Sequence, residues 1–274
     1  MTLKKRRIIL IVCFLIFVAL APIALLYSNG YRLDERLHII KTGGLYISSP
    51  LSDSQIFINS KLEKETNILQ KGFFIQNLRP GKYYIIVGKE TYWPWAKELN
   101  VEEQKVAEAR ALLIPKEPKG EILKIENSTP LETSKHDEII NEIEKIKKQL
   151  ATSTIMYKLS TNEKEKVWWS PNQNKLWVEW LSDLDSLPYY FKGEQKVLVL
   201  DSRFPIRSAD FYPGRRDVLI ISVQNGVFAI EIDGRGGRII QPIYKGKEPV
   251  AETYKNESAV YLLDENTLIR IKLD

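Results

Sequence analysis

The chain is 274 residues long and carries 40 Lys and Arg against 35 Asp and Glu, with two His and one Cys. Four of the cations are the consecutive Lys4, Lys5, Arg6 and Arg7, so the remainder holds 36 basic against 35 acidic residues; this near-neutral balance argues against a nucleic-acid binder, which gathers basic residues on one face. A single cysteine rules out an intramolecular disulfide, and His38 and His136 have neither cysteine partners nor ligand spacing, which argues against zinc; no metal or cofactor is expected.

In chain order, residues 8–27 come first: twenty positions without a charge, enough to cross a hydrocarbon core of about 30 Å at about 1.5 Å per residue. The four preceding cations hold that end in the cytoplasm, which makes residues 1–30 a cytoplasmic tip and single-pass anchor in the cytoplasmic membrane, with the bulk extracytoplasmic. The competing reading is a cleaved signal peptide at Ala19-Leu20-Ala21; Pro22 follows directly and the apolar run continues to Leu26, which favours the uncleaved anchor. Leu10-Ile11-Val12-Cys13 invites comparison with a lipobox. Val12 stands where a small residue is wanted, however, and a long apolar stretch follows.

Residues 40–116 read as short strands (LYISS, QIFINSK, KGFFIQNL, KYYIIVGK and a stretch ending VAEARALLIP) with turn residues about every ten positions, the pattern of a small β-sandwich. Pro80-Gly81 suits a type II turn leading into KYYIIV. Gly44-Leu45-Tyr46-Ile47-Ser48-Ser49-Pro50, the Ile56-Phe57-Ile58-Asn59 strand, Leu78-Arg79-Pro80-Gly81-Lys82-Tyr83 and Thr91-Tyr92-Trp93-Pro94-Trp95 keep an order and spacing that resemble a PEGA domain. Thr91 stands where that family has glycine. The resemblance implies an extracytoplasmic binding or spacer module and no catalytic residues. Trp93 and Trp95 either cap the sandwich core or form a stacking platform for a sugar or a proline-rich partner.

Residues 117–154 break the β pattern. A charged Pro/Gly segment from Lys116 is followed by a helix expected over residues 134–150, with Ser134 and Asp137 as capping box and Ile139, Ile140, Ile143, Ile146 and Leu150 on one face. That stripe is expected to pack on one of the β modules.

Residues 155–274 contain an echo at a 42-residue spacing: Trp168-Trp169-Ser170-Pro171, Asp210-Phe211-Tyr212-Pro213 and Glu252-Thr253-Tyr254-Lys255, followed by KLWVEW, DVLIISV and AVYLLD. A period near forty with strands in step suggests four-stranded propeller blades. Hairpin turns are expected at Asn225-Gly226 and near Glu265-Asn266. Trp169-Ser170-Pro171-Asn172 before Lys175-Leu176, with the weaker copy Phe211-Tyr212-Pro213-Gly214, resembles the TolB-type, WD40-like propeller repeat. Three blades fall short of the four to eight of closed propellers. An open fragment, a compact stack of blade-like sheets, and a ring completed by a second copy or partner all remain open.

The whole is thus expected to be mainly β: an anchor helix, a PEGA-like sandwich, one connecting amphipathic helix and a partial propeller-like array. Nucleophile-elbow, P-loop and dinucleotide motifs are absent, so the expectation is a non-catalytic binding or scaffold protein that meets cell-envelope polymer or another envelope protein. In KLWVEW, alternation sends Leu176, Val178 and Trp180 to one face and Trp177 with Glu179 to the other; Trp177, Tyr189 and Tyr190 are the candidates for an exposed recognition patch, beside Trp93 and Trp95. The alternative is a degenerate envelope polysaccharide hydrolase using two of Asp183, Asp185, Asp201 and Asp210 as acid and base.

Overall fold

The computed structural model describes residues 3–33, 38–123, 129–152, 155–170, 172–254 and 257–273. Pro171 and Lys255, both in the 42-residue echo, lie outside the described residues. The fold is mainly β, with one long apolar helix at its N-terminal end and several small sheets. That helix, α1 (Leu3–Ser28), contains Pro22, is uncovered by the rest of the chain, and from Lys5 to Ser28 is long and apolar enough to cross a membrane. A short hairpin, β1 (Tyr31–Leu33) and β2 (Ile39–Lys41), follows it.

The sandwich is built from β3 (Gly43–Ser48), β4 (Gln55–Ile58), β5 (Lys61–Glu65), β6 (Gly72–Leu78), β7 (Gly81–Gly88), β8 (Trp95–Val101) and β9 (Val106–Arg110). One sheet has the order β6-β3-β9, with β3 and β9 parallel, and the other β5-β4-β7-β8. Their facing side chains, among them Leu45, Ile47, Ile56, Ile85, Val87 and Leu99, share one core. Trp95 opens a strand of its own, β8, where the sequence leaves open a core cap or a stacking platform.

Next come β10 (Gly120–Ile122) and α2 (Pro130–Ala151). The helix starts one turn earlier than the sequence suggests: Thr129 and Glu132 form the capping box and proline occupies the first turn, in place of Ser134 and Asp137. Ile139, Ile143 and Ile146 are buried and Ile140 and Leu150 half-buried, so the stripe docks within its own chain, on the last sheet described below.

Three four-stranded antiparallel sheets follow. The first is β11 (Met156–Leu159), β12 (Glu165–Ser170), β13 (Lys175–Trp180) and β14 (Lys196–Asp201); the second is β15 (Ser208–Phe211), β16 (Val218–Val223), β17 (Gly226–Glu231) and β18 (Ile240–Lys245). In the third, β19 (Val250–Thr253), β20 (Ala259–Asp264) and β21 (Thr267–Lys272) take their fourth strand, β10, from before α2. Strands β11 and β12 pack on β15 as β15 and β16 pack on β19, so β11, β15 and β19 are equivalent inner strands. The 42-residue echo therefore aligns unlike strands. Trp168-Trp169 lies on the second strand of its sheet, whereas Asp210-Phe211 and Glu252-Thr253 lie on first strands. From Met156 to Ser208 is 52 positions and from Ser208 to Val250 is 42, and most of the excess lies in the long β13–β14 connection with its two 3-10 turns, Leu184–Ser186 and Tyr189–Phe191.

The Glu265-Asn266 hairpin forms as expected, between Asp264 and Thr267. The other is shifted by one: Gln224 and Asn225 make the loop, and Gly226 pairs with Val223. Gly226 has φ 157°, and a Cβ there would lie 2.3 Å from the Tyr244 carbonyl oxygen, so the close approach of β18 is what requires glycine.

The sandwich and the second sheet are fused through buried polar contacts. Trp95 Nε1 donates to Glu231 Oε1 at 2.5 Å, and the buried Lys97 ammonium lies 2.8 Å from Glu231 Oε2 and donates to the Asp233 carbonyl at 2.8 Å. Arg215 grips Asp217 with two donors, at 3.0 and 2.6 Å, and donates to the Ala111 carbonyl at 2.7 Å. Gln241 accepts from the Ile114 amide at 2.9 Å and donates to the Leu112 carbonyl at 3.0 Å. One apolar core runs from the sandwich into the second and third sheets, and a second core fills the space among the three sheets and α2.

Candidate functional site

The two cores cover both faces of the second and third sheets. They cover the first sheet on one face only. On its free face the antiparallel register sets Tyr157, Trp168, Trp177 and Leu198 directly opposite one another across four strands. The neighbouring row is Leu159, Lys166, Glu179 and Lys196. The Trp168 and Trp177 rings stack with centroids 5.9 Å apart and planes 12° apart, and the Lys196 ammonium lies 4.6 Å and 4.4 Å from their centroids. Tyr157 is 62% exposed at the end of the row. Lys166 and Glu179 pair at 3.0 Å alongside. The result is an aromatic strip bordered by alternating charges, with flat apolar rings and flanking donors and acceptors; such a surface suits a ligand with both apolar faces and polar edges.

The opposite side of the sheet makes this strip rigid. Leu176, Val178 and Trp180 point inward and are buried, as the alternation requires. Buried Glu165 accepts from Ser160 Oγ at 2.6 Å, from the Tyr190 hydroxyl at 2.9 Å and from Arg216 Nη1 at 3.2 Å.

The five aromatic candidates therefore separate. Trp177 lies on the free strip. Tyr190, expected on an exposed patch, is only 6% exposed: its hydroxyl is held by Glu165, and burial with that carboxylate's charge pushes its pKa up. Tyr189 is half-buried between Tyr190 and the Arg235 guanidinium, 4.7 Å above its ring, and burial together with nearby Asp217 and Asp233 raises its pKa as well. Trp95 is 1% exposed in the sandwich core, whereas Trp93, two positions earlier, remains 38% exposed. Sequence reasoning passes over Trp168, Tyr157 and Lys196 as partners of Trp177. The available signal is the alternation in EKVWWS, which sends Lys166 and Trp168 outward, combined with a tight β12–β13 hairpin that sets Trp168 against Trp177.

The four acid candidates are not gathered. Asp183 and Asp185 are exposed in the β13–β14 connection, Asp201 is exposed 4.0 Å from Lys175 at the end of β14, and Asp210 is half-buried where the inner strands meet. There Lys158, Asp210 and Glu252 occupy the same position on β11, β15 and β19. Lys158 donates to Glu252 Oε1 and Thr253 Oγ1 donates to Asp210 Oδ2 at 2.5 Å. Burial, then the adjacent Asp210 charge, pushes Glu252 up to about 7 against the pull of Lys158. Burial likewise raises Asp210. The Lys158 ammonium is disfavoured by burial, yet the Glu252 charge and hydrogen bond outweigh that and raise its pKa. This centre ties the first sheet to the third; Glu252 is the carboxylate that sequence reasoning missed. Among the described residues, no group of three or more His, Cys, Asp or Glu is placed to hold a metal.

No family model matches the chain. No curated protein matches it either. Among solved structures, the AfRom2 CNH domain is similar at 9% identity over 77% of this chain and 70% of that one, with a TM-score of 0.28. That likeness is too slight to carry an argument.

Proposed function

We propose that the chain is a single-pass protein of the cytoplasmic membrane, N-terminus inside and bulk extracytoplasmic, that binds cell-envelope polysaccharide without catalysis. In this reading a PEGA-like sandwich holds a TolB-like set of sheets clear of the bilayer. The observation that carries it is the Tyr157-Trp168-Trp177 strip, on the face of the first four-stranded sheet that the two cores leave uncovered. Aromatic faces stack on the apolar faces of sugar rings, and Lys166, Glu179 and Lys196 supply hydrogen-bond partners at the edges. Lys4, Lys5, Arg6 and Arg7 before an uncharged span support the orientation.

The test is co-sedimentation of the full chain, in neutral detergent, with purified cell-wall material from the source organism. Saturable binding is expected, with at least a tenfold loss in the Trp168→Ala/Trp177→Ala variant. Wild-type binding by that variant, or no binding by a monodisperse wild-type protein, overturns the reading.

A further inference from the structure

A second surface lies at the other end of the sandwich from α1. Strand β9 starts where Gln104 donates to the Asn29 carbonyl at the end of α1, and β7 starts at Gly81, opposite Val101, which packs against Gly43. Both strands run away from α1. Beyond their far ends, Thr91, Tyr92, Pro115, Lys116, Glu117, Lys119 and Lys272 line a cleft of about 660 Å³ between the sandwich, the 115–119 connection and the end of β21. Three lysines and one glutamate face it. Among the described residues, Lys116, Lys119 and Lys272 have no carboxylate partner.

Thr91 shows that this cleft is held in shape. It has φ 67°, a left-handed conformation that a β-branched residue adopts only at a cost. The surroundings enforce it: the Lys116 amide donates to the Thr91 carbonyl at 2.8 Å, the Trp93 amide donates to the Ile114 carbonyl at 2.9 Å, and the Lys272 amide donates to the Lys119 carbonyl at 3.2 Å. Three cations on two stretches of backbone, the 115–119 connection and the end of β21, are thereby held around one cleft against their mutual repulsion. An anionic polymer that neutralises them removes that repulsion and sheds its own condensed counterions.

We infer that this cleft binds the phosphate or carboxylate groups of an anionic cell-envelope polymer. The inference rests on the envelope reading above and adds the charge class of the ligand. A polymer is favoured over lipid headgroups because the cleft sits at the end of the sandwich opposite α1, away from the bilayer that α1 would enter.

The full chain in neutral detergent is titrated with fluorescent polyphosphate and polygalacturonate, with dextran as the uncharged control and phosphatidylglycerol vesicles as the lipid arm. Expected is saturable binding of at least one polyanion, weakened by salt. The Lys116→Gln/Lys119→Gln/Lys272→Gln variant should lose at least tenfold, and Glu117→Gln should gain. All four side chains are exposed, so folding is unaffected, and unchanged circular dichroism is the control. Equal binding by the triple variant, lysine-dependent binding of dextran, or lysine-dependent binding to the vesicles alone overturns the inference. Trp168→Ala/Trp177→Ala should leave polyphosphate binding intact, so failure of the aromatic strip and failure of this cleft are distinguishable.

Discussion

The first and second sheets have the same four-stranded construction and opposite surroundings. In β16 every residue is buried and in β17 all but Phe228, because the sandwich core lies against one face and the inner core against the other. In β13, and in β12 as far as Trp169, buried and half-buried residues alternate. Coverage, not strand pairing, sets the composition: VLIISV reads as a continuous apolar run and KLWVEW as an alternation. The sheet with a free face is the one that can present aromatic and charged groups outward, so the sheet least used for stability is the one open to a ligand.

The comparison is broken most severely at the covered sheet. Lys97 on β8 has essentially no exposed side chain and faces Glu231 and Asp233. Lys97→Met leaves the buried Glu231 carboxylate without its cation, while Asp233 keeps Arg235 at 2.8 Å, and is expected to cost about 3–5 kcal/mol, read by denaturant unfolding of the full chain. A loss below about 1 kcal/mol would mean that water reaches the junction. Ile220, packed on the sandwich side of β16, comes next: Ile220→Ala is expected to cost about 2–5 kcal/mol by transfer and cavity formation.

The same contrast marks how much was legible in the sequence. Alternation correctly separates Trp177 and Glu179 from Leu176, Val178 and Trp180, since a half-buried strand writes its two faces into successive residues. It fails for Tyr190, whose environment is set by Glu165, twenty-five positions earlier and on another element. Trp95 fails as a platform for a similar reason, because its indole partner Glu231 is 136 positions away. The echo locates the array but misphases its first sheet, since similar aromatic turns precede the third strand there and the second strand elsewhere. Strand β10, three residues long and exposed, carries no periodicity from which to infer that it completes the last sheet. The Lys158, Asp210 and Glu252 centre arises from packing three strands together and has no local signature.

Glu252 in that centre and two aspartates at the sandwich junction are expected to respond oppositely to pH, whereas the junction's Glu231 is raised by burial as Glu252 is. Glu252, pushed up to about 7, keeps a proton in the fold that the unfolded chain releases near its ordinary value of 4.5. Its contribution is thus fully present below about pH 4.5 and is lost as pH rises to about 7, by up to about 3 kcal/mol. At the junction, burial raises the pKa values of Asp217 and Asp233, but Arg215 at the first, and Arg235 with Lys97 at the second, outweigh it and lower both. These groups stabilise above the ordinary carboxylate range, and that contribution is lost as pH falls through their folded values. Unfolding free energies across pH 4.5–8 should show a downward slope that Glu252→Gln flattens. An unchanged slope would remove Glu252 as its source.

The smallest effect belongs to the free face. Lys166 and Glu179 pair at 3.0 Å with about a third of each side chain exposed. Neither ion is fully withdrawn from water, so the pair gains little from Coulomb attraction and loses little when one member is neutralised. Glu179→Gln is expected to change stability by less than about 1 kcal/mol, against the several expected for Lys97→Met. Both substitutions remove one charge from a pair with nearly the same separation, so the ratio of their effects measures coverage. A cost near 3 kcal/mol at Glu179 would mean that this face is buried in the working protein. Such a result, repeated with detergent-solubilised full chain across a dilution series, would assign the strip to contact between copies if the cost disappeared on dilution. A small, concentration-independent change accompanied by weaker wall binding would place Glu179 at the edge of the ligand surface.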